Sequence, residues 1–348
     1  MPSESFSQNA PRIFLITKGS GMNTWYEDIA EGFRSLGCRV ETAFLRSTRP
    51  AERLSQIRTK TRLMESEAVC ARIAARLRAF DPDLVLILNF PGIPERANSM
   101  FRESLRGGVP ILGWLCDRLD KFTKGHSPLM EGVYNFDAAA SSILEQAYHG
   151  SSSKLRPLPL AASPSRYPCP PIVVTKRIPA LAFAGNCTPS RKVAFTKYRE
   201  LGGTLQTFGP HSAEGFHPLR NRKLSSTALG RIYADYLVSL NLLQEGNTEH
   251  GLNLRAFEIP CAGGLGTYPD VPQLADCFVP GEEVLVYRSL EELKDLVGEM
   301  SVDLERAQAI SEAGHKRVMA EHTFAHRAAT IISDWLPDRA AAMLPASK

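Results

Sequence analysis

The sequence predicts an α/β protein of two doubly wound domains facing a central cleft, and three observations lead there. Short apolar runs alternate with amphipathic helical stretches along both halves, the first run of each half ends in a glycine turn, and a proline-rich stretch separates the halves. At 348 residues the chain exceeds the size at which one core keeps growing, so two domains of about 150 to 180 residues are expected.

In the first half, Arg12 to Thr17 is an apolar run ending at Gly19-Ser20-Gly21. Thr24 to Leu36 then carries Trp25, Ile29, Phe33 and Leu36 at helical spacing. Arg39 to Leu45 predicts a strand and Ala51 to Phe80 a long helical region, which Asp81-Pro82-Asp83 breaks. Leu84 to Leu88 and Val109 to Leu115 are near-continuously apolar, as strands covered on both faces should be. Asp137 to Ser141 and Lys154 to Leu158 are read as the last short strands. Leu158 to Pro179 holds six prolines in 22 residues and is read as a linker.

The second half restarts with Ala180 to Ala184 and the Gly185-Asn186 turn. Helical Val193 to Leu201, strand Thr204 to Phe208, a His/Pro/Gly-rich loop to about Arg222 and the apolar run Tyr236 to Leu240 follow. Val284 to Tyr287 predicts a strand, and Ser289 with Glu292 a capping box for a helix whose Leu290, Leu293, Leu296, Val297 and Met300 share one face.

Composition narrows the function. A net charge of +4 with no long Lys/Arg run argues against nucleic acid and leaves a mild bias toward an anionic ligand. Seven scattered cysteines with no C-x-x-C fit a reduced compartment and give no support to zinc. No signal peptide and no run of 18 apolar residues is found, so a cytoplasmic protein without a membrane span is expected.

The stretch Gly251 to Gly264 (GLNLRAFEIPCAGG) combines a turn, a helix start and a double-glycine stop. The unpaired N–H groups of a helix start suit a diphosphate, so Gly251, Leu252 and Asn253 are candidate donors, with Asn253 the N-cap. Glu258, one turn on, is placed to accept from ribose hydroxyls, as acidic residues do in dinucleotide folds. The plain alternative is a capped helix in which Glu258 pairs with Arg255. Pro260 would clash with the Ala256 carbonyl. A nucleotide-activated co-substrate is the favoured reading.

Residues 253–268 (NLRAFEIPCAGGLGTY), 274–293 (LADCFVPGEEVLVYRSLEEL) and 314–327 (GHKRVMAEHTFAHR) carry a resemblance to the CgeB-like (spore-maturation-type) glycosyltransferases, relatives of the family 4 retaining enzymes. Upstream, FDPDLVLIL, ILGWLCDRLD, YNFDAAASS and LAFAGN…SRK are also similar, so the resemblance spans most of residues 12 to 332. It implies a GT-B fold with two Rossmann-like domains and no obligatory metal or cofactor beyond the nucleotide-diphosphate sugar. The N-terminal domain (1–160) would take the acceptor and, after a linker (161–179), the C-terminal domain (180–325) the donor. A helix and tail (326–348) would cross back to the first domain.

The resemblance also assigns residues. Glu258 matches the second of two glutamates eight positions apart, and His250, beside Glu249, stands where the first would be. Arg255 would reach phosphate. Arg191 and Lys192 match the basic position that neutralises the leaving diphosphate, with Gly185 and Asn186 in the same loop. Gly19 and Gly21, in the glycine turn after the first strand, would pass close to the donor or acceptor, with donor binding the favoured role. Asp117, near Asp120, would orient or deprotonate the acceptor hydroxyl, with an exposed ion pair to Arg118 or Lys121 as the alternative; His126, His211 and His217 are further candidates. No metal site is expected: Asp81-Pro82-Asp83 reads as a turn, and His315, His322 and His326 as packing. The acceptor, whether glycan, protein, lipid or small molecule, is left open. A GT-B epimerase or hydrolase and a non-catalytic nucleotide-sugar-binding protein are the rival readings.

Overall fold

The computed structural model describes residues 10–17, 25–45, 67–89, 93, 95–116, 130–147, 153–211, 223–243 and 248–343. Gly19, Gly21, Asp117, Asp120, His126, His217 and the first part of the 51–80 helix lie outside them. The chain divides into two compact units, 1–159 with 324–348, and 160–323.

The first unit carries the strands β1 (Arg12–Thr17), β2 (Arg39–Phe44), β3 (Leu84–Leu88), β4 (Ile111–Leu115), β5 (Gly132–Asn135) and β6 (Lys154–Pro157). They form one sheet in the order β2-β1-β3-β4-β5-β6, parallel throughout. β3 and β4 are buried along their whole length because helices cover both faces, which is why they read as unbroken apolar runs. The helices are α1 (Trp25–Ser35), α2 (Glu67–Phe80), α3 (Glu95–Glu103) and α4 (Ala140–Ala147). Asp137 to Ser141, expected to be a strand, is a turn that runs into α4. Asp137 Oδ1 accepts the Ala139 N–H at 2.9 Å, so the short acidic side chain closes a turn just before the helix.

Asp81-Pro82-Asp83 is the expected helix-to-strand turn. Asp81 takes φ = +50°, and Arg12 and Arg106 pair with both carboxylates.

Residues near the C-terminus complete the first unit. α11 (Phe324–Trp335) packs on α1, where Gly32 allows close approach: a Cβ there would stand 2.5 Å from the Phe324 carbonyl oxygen. At the far end Trp335 Nε1 donates to the Tyr134 hydroxyl at 3.1 Å, and Tyr134 donates to Asp334 Oδ2 at 2.5 Å. Arg156 pairs with the same carboxylate. α12 (Pro337–Met343) follows.

The second unit carries β7 (Ile178–Ala184), β8 (Leu205–Phe208), β9 (Tyr236–Leu240), β10 (Gly266–Pro269) and β11 (Leu285–Tyr287) in the order β11-β10-β9-β7-β8, again parallel. Its helices are α5 (Pro189–Glu200), α6 (Ser226–Asp235), α7 (Arg255–Cys261), α8 (Leu274–Cys277), α9 (Leu290–Val302) and α10 (Leu304–Glu321). α5 begins four residues before the expected Val193, since proline suits a first turn. α6 and β10 have no counterpart in the sequence reading. The capping of α9 is as expected, with Ser289 Oγ accepting the Glu292 N–H at 3.1 Å.

The stretch 161–177 is largely irregular, with one 3-10 turn at Val174–Lys176, and is fastened within the second unit; β7 begins at Ile178, two residues inside the expected linker. Gln308 Oε1 accepts the Val174 N–H at 2.9 Å, and Arg177 Nη2 donates to the Gly263 carbonyl at 2.5 Å.

Candidate functional site

Strand order reverses between β7 and β9, which makes the carboxyl ends of those two strands the topological switch point of the second sheet, where open α/β sheets bind ligands. β7 ends in Phe183-Ala184 and turns at Gly185. Gly185 has φ = +152°, and a Cβ there would stand 2.3 Å from Arg255 Nη2, so only glycine admits that guanidinium. The Gly185 N–H donates to Phe208 O at 2.9 Å. Asn186 is exposed.

Two arginines converge on this turn. Arg255 Nε donates to Ala184 O at 2.9 Å, and its guanidinium lies 4.8 Å from the centre of the Phe183 ring. Arg191 lies 5.2 Å from that ring centre and is 6% exposed. It donates through Nη1 to Asn186 O at 2.9 Å and through Nη2 to Leu242 O at 2.8 Å, tying the loop after β7 to the loop after β9. Burial and the neighbouring Arg255 push Arg191 down to about 10 from 12.5. Among the described residues, neither arginine has a carboxylate within ion-pair distance. Lys192, next in sequence, is exposed.

The loop after β9 runs through Asn241, fully buried, whose side-chain oxygen and nitrogen both lack a partner among the described residues. Gly251 to Asn253 are held from two sides. Thr248 Oγ1 donates to Gly251 O at 2.6 Å, and the Leu252 N–H donates to Gln273 Oε1 at 2.8 Å. That second bond corrects an expectation: Leu252 is buried, its N–H had to be paired inside the protein, and it is not free for a ligand. The N–H groups of Gly251 and Asn253 have no partner among the described residues. Asn253, expected to be the N-cap, stands one residue before the N-cap Leu254, and its Oδ1 accepts the Ala256 N–H at 3.3 Å. His250 and Glu249 are exposed on the same loop.

The proline in α7 is accommodated by a substitute donor. Pro260 has no N–H for the Ala256 carbonyl, and the buried Tyr268 hydroxyl donates to that oxygen at 2.9 Å. Glu258 does not form the ion pair with Arg255 that a plain surface helix would show. Its Oε1 instead accepts from the Tyr167 hydroxyl at 2.9 Å, and Oε2 has no hydrogen bond among the described residues. Burial raises the Glu258 carboxyl above its ordinary value, against the opposing pull of Tyr167, Arg255 and Arg166.

The structure thus brings Gly185, Asn186, Arg191, Arg255, Glu258 and the Gly251 turn to the carboxyl edge of one sheet. His315 and His322 are packing residues: His315 Nδ1 meets Pro260 O at 3.0 Å and His322 Nε2 meets Cys277 O at 2.8 Å. His322 ends α10 and His326 lies on α11, so the two do not share a helix. Among the described residues no group of three or more His, Cys, Asp or Glu is placed to hold a metal ion. No helix there is long and apolar enough to cross a membrane. Tyr167, Gln273, Thr248, Phe183 and Asn241 were not singled out from sequence, and no local spacing marks them.

Residues 191–333 match a family model described as glycosyl transferase-like. Solved structures share the whole architecture. The sucrose-phosphate synthase of Thermosynechococcus elongatus aligns with a TM-score of 0.59 at 11% identity, covering 95% of this chain and 100% of that one. Anabaena HepE in complex with UDP and glucose aligns with a TM-score of 0.59 at 10% identity, covering 94% and 100%. The UDP-forming α,α-trehalose-phosphate synthase of Burkholderia vietnamiensis gives 0.57 at 14% identity, covering 95% and 100%. The fold is GT-B. Each GT-B unit is a Rossmann-like parallel sheet with helices on both faces, and the family-model match falls almost entirely within the second. No curated protein matches the chain in sequence.

Proposed function

We propose that the chain is a glycosyltransferase that moves a sugar from a nucleoside diphosphate donor to the hydroxyl of an acceptor. The observation that carries the reading is the pair of arginines on Phe183 at the switch point, two converging cations with no carboxylate within ion-pair distance among the described residues. An anionic ligand is what such a pair lacks, and a diphosphate matches its charge. UDP is the first donor base to test, since HepE binds it.

In this reading Arg255, the exposed Lys192 and the free N–H groups of Gly251 and Asn253 receive the diphosphate. Gly185 and Asn186 form the wall beside it. Arg191 acts mainly by clamping the two loops, because both its Nη atoms already serve backbone carbonyls. Glu258 accepts from a ribose hydroxyl through Oε2, and His250 stands at the sugar end. Asp117 serves the acceptor, and Gly19 and Gly21 the first unit's approach to the donor. During transfer the bond from the anomeric carbon to the diphosphate oxygen breaks with its electron pair going to that oxygen, a bond to the acceptor oxygen forms, and the acceptor hydroxyl gives its proton to Asp117, which passes it to solvent. Negative charge gathers on the departing diphosphate, where fixed cations and N–H dipoles stabilise it without a metal. Retention at the anomeric carbon, CgeB-like kinship and a cytoplasmic setting belong to the same reading.

The test is a thermal-shift screen of the full chain against UDP, GDP, ADP, TDP and CMP, followed by product analysis with the sugar nucleotide that binds. Stabilisation by one diphosphate, unchanged by EDTA, and a glycosylated product are expected. No stabilisation by any nucleotide would sink the reading. Free or epimerised sugar as the sole product would turn it toward a hydrolase or epimerase.

A further inference from the structure

Tyr167 is 5% exposed and stands on the irregular segment that leads into β7, outside every motif of the sequence. Its hydroxyl donates to Glu258 Oε1 at 2.9 Å, with the Ser226 side chain of α6 on its other side. Glu258 therefore has one anchored oxygen and one free.

A half-buried carboxylate held this way has few orientations open to it. Two rotatable bonds beyond Cβ would otherwise let it swing, and the anchor comes from 91 residues away, so α7 alone does not set its aim. The groups facing Glu258 are Tyr233 from α6, Arg255 and Cys261 from α7, and Arg166 and Tyr167 from the irregular segment. Among the described residues Tyr167 alone hydrogen-bonds the carboxylate.

We propose that Tyr167 is the positioning residue of the nucleotide site, fixing Glu258 so that Oε2 meets a ribose hydroxyl of the donor. The inference rests on Glu258 being the ribose contact. Without the phenol hydroxyl, the carboxylate both loses its aim and takes up a proton more readily, because a hydrogen bond to the charged form is gone.

The experiment is calorimetric titration of the full chain with UDP from pH 5 to 8, for the wild type, Tyr167→Phe, Glu258→Gln and the double variant. Tyr167→Phe keeps the ring and its packing. Its dissociation constant at pH 7 is expected to rise about three- to tenfold. The acid midpoint of binding is expected to move up by about half to one pH unit relative to wild type, the titration of the UDP phosphate being common to both. The double variant should bind no more weakly than Glu258→Gln alone. If Tyr167→Phe does not fold, 3-fluorotyrosine at position 167, a stronger donor of nearly the same shape, should shift the midpoint downward. A Tyr167→Phe variant, or failing that the fluorinated protein, with wild-type affinity and midpoint overturns the inference and leaves the site reading intact. Equal UDP binding by wild type and Glu258→Gln, or no UDP binding by wild type, overturns the inference together with the ribose reading.

Discussion

Three arginines of the second unit are used differently from most of the first unit's. In the first unit Arg12 and Arg106 share Asp81 and Asp83, Arg102 takes Glu131, Arg76 takes Glu41, Arg96 takes Glu67 and Arg156 takes Asp334. In the second unit Arg288, Arg306 and Arg317 are paired in the same way. Arg177, Arg191 and Arg255 are not; they donate to the backbone carbonyls of Gly263, Asn186, Leu242 and Ala184. A charge neutralised within the fold serves packing, whereas a cation given only uncharged partners keeps more of its attraction for an anion. Two of these three meet on one aromatic ring at the switch point, and the same residues therefore hold the loops and attract the ligand.

The largest effects should come from the first unit's seam and the second unit's clamp. Trp335→Ala removes the indole that covers Lys154 and bonds Tyr134, and should lower stability by about 4 kcal/mol in urea unfolding. It should leave the nucleotide affinity of the folded protein unchanged, because the groups proposed to hold the diphosphate and ribose lie in the other unit. Arg191→Met takes the donor from the Leu242 carbonyl and one of two from the Asn186 carbonyl, which keeps the Thr188 N–H, and should cost about 2 kcal/mol by the same measurement, and nucleotide affinity with it. A variant that lost affinity while keeping full stability would show Arg191 to be a ligand contact instead of a clamp.

Much of this architecture was legible beforehand. The buried strands β3, β4, β7 and β9 stood out because a strand covered on both faces must be apolar throughout. β10 did not, since Gly266-Thr267-Tyr268-Pro269 offers neither an apolar run nor an alternation. α6 was missed because its Gly230 and Arg231 interrupt the periodicity. Within the candidate site, the glycine turns, Arg255 and Glu258 lie in continuous motifs and could be named. Their partners could not: Tyr167 and Gln273 reach the site from 91 and 21 residues away, through single bonds that no local pattern encodes. Even the awkward Pro260 was visible only as a problem, and its solution, the Tyr268 hydroxyl, is a tertiary one.

Intermediate effects should separate binding from stability inside the second unit. Arg255→Met should weaken UDP binding about thirtyfold in calorimetry, near 2 kcal/mol for one charged contact. Arg255→Lys should recover only part of that, because an ammonium cannot both donate to Ala184 O and lie flat on Phe183. Glu258→Gln should act in the opposite sense on stability. Folding raises the Glu258 carboxyl, so the stability linked to it is fully present below its ordinary value of 4.5 and is lost as pH rises through the raised value. The glutamine variant, with no proton to lose, should gain stability relative to the wild type as pH rises from 4 to 8, while binding UDP less well. Equal pH profiles for the two proteins would mean that Glu258 bears no burial cost.

The smallest expected effect is the control that gives the comparison its meaning. Arg96 and Glu67 pair at 2.6 Å with side chains 75% and 64% exposed. Water screens such a pair and ordering two long side chains offsets its attraction, so Arg96→Met should change stability by no more than about 0.5 kcal/mol and the affinity for UDP not at all. Measured beside Arg255→Met at low and high salt, it tests whether removing any positive charge from this +4 chain weakens an anionic ligand through the general field. A loss of UDP affinity in Arg96→Met that disappears at high salt would mean that net charge draws in the ligand. An unchanged affinity beside a salt-resistant loss in Arg255→Met would locate the attraction in the carboxylate-free pair on Phe183, where burial limits screening.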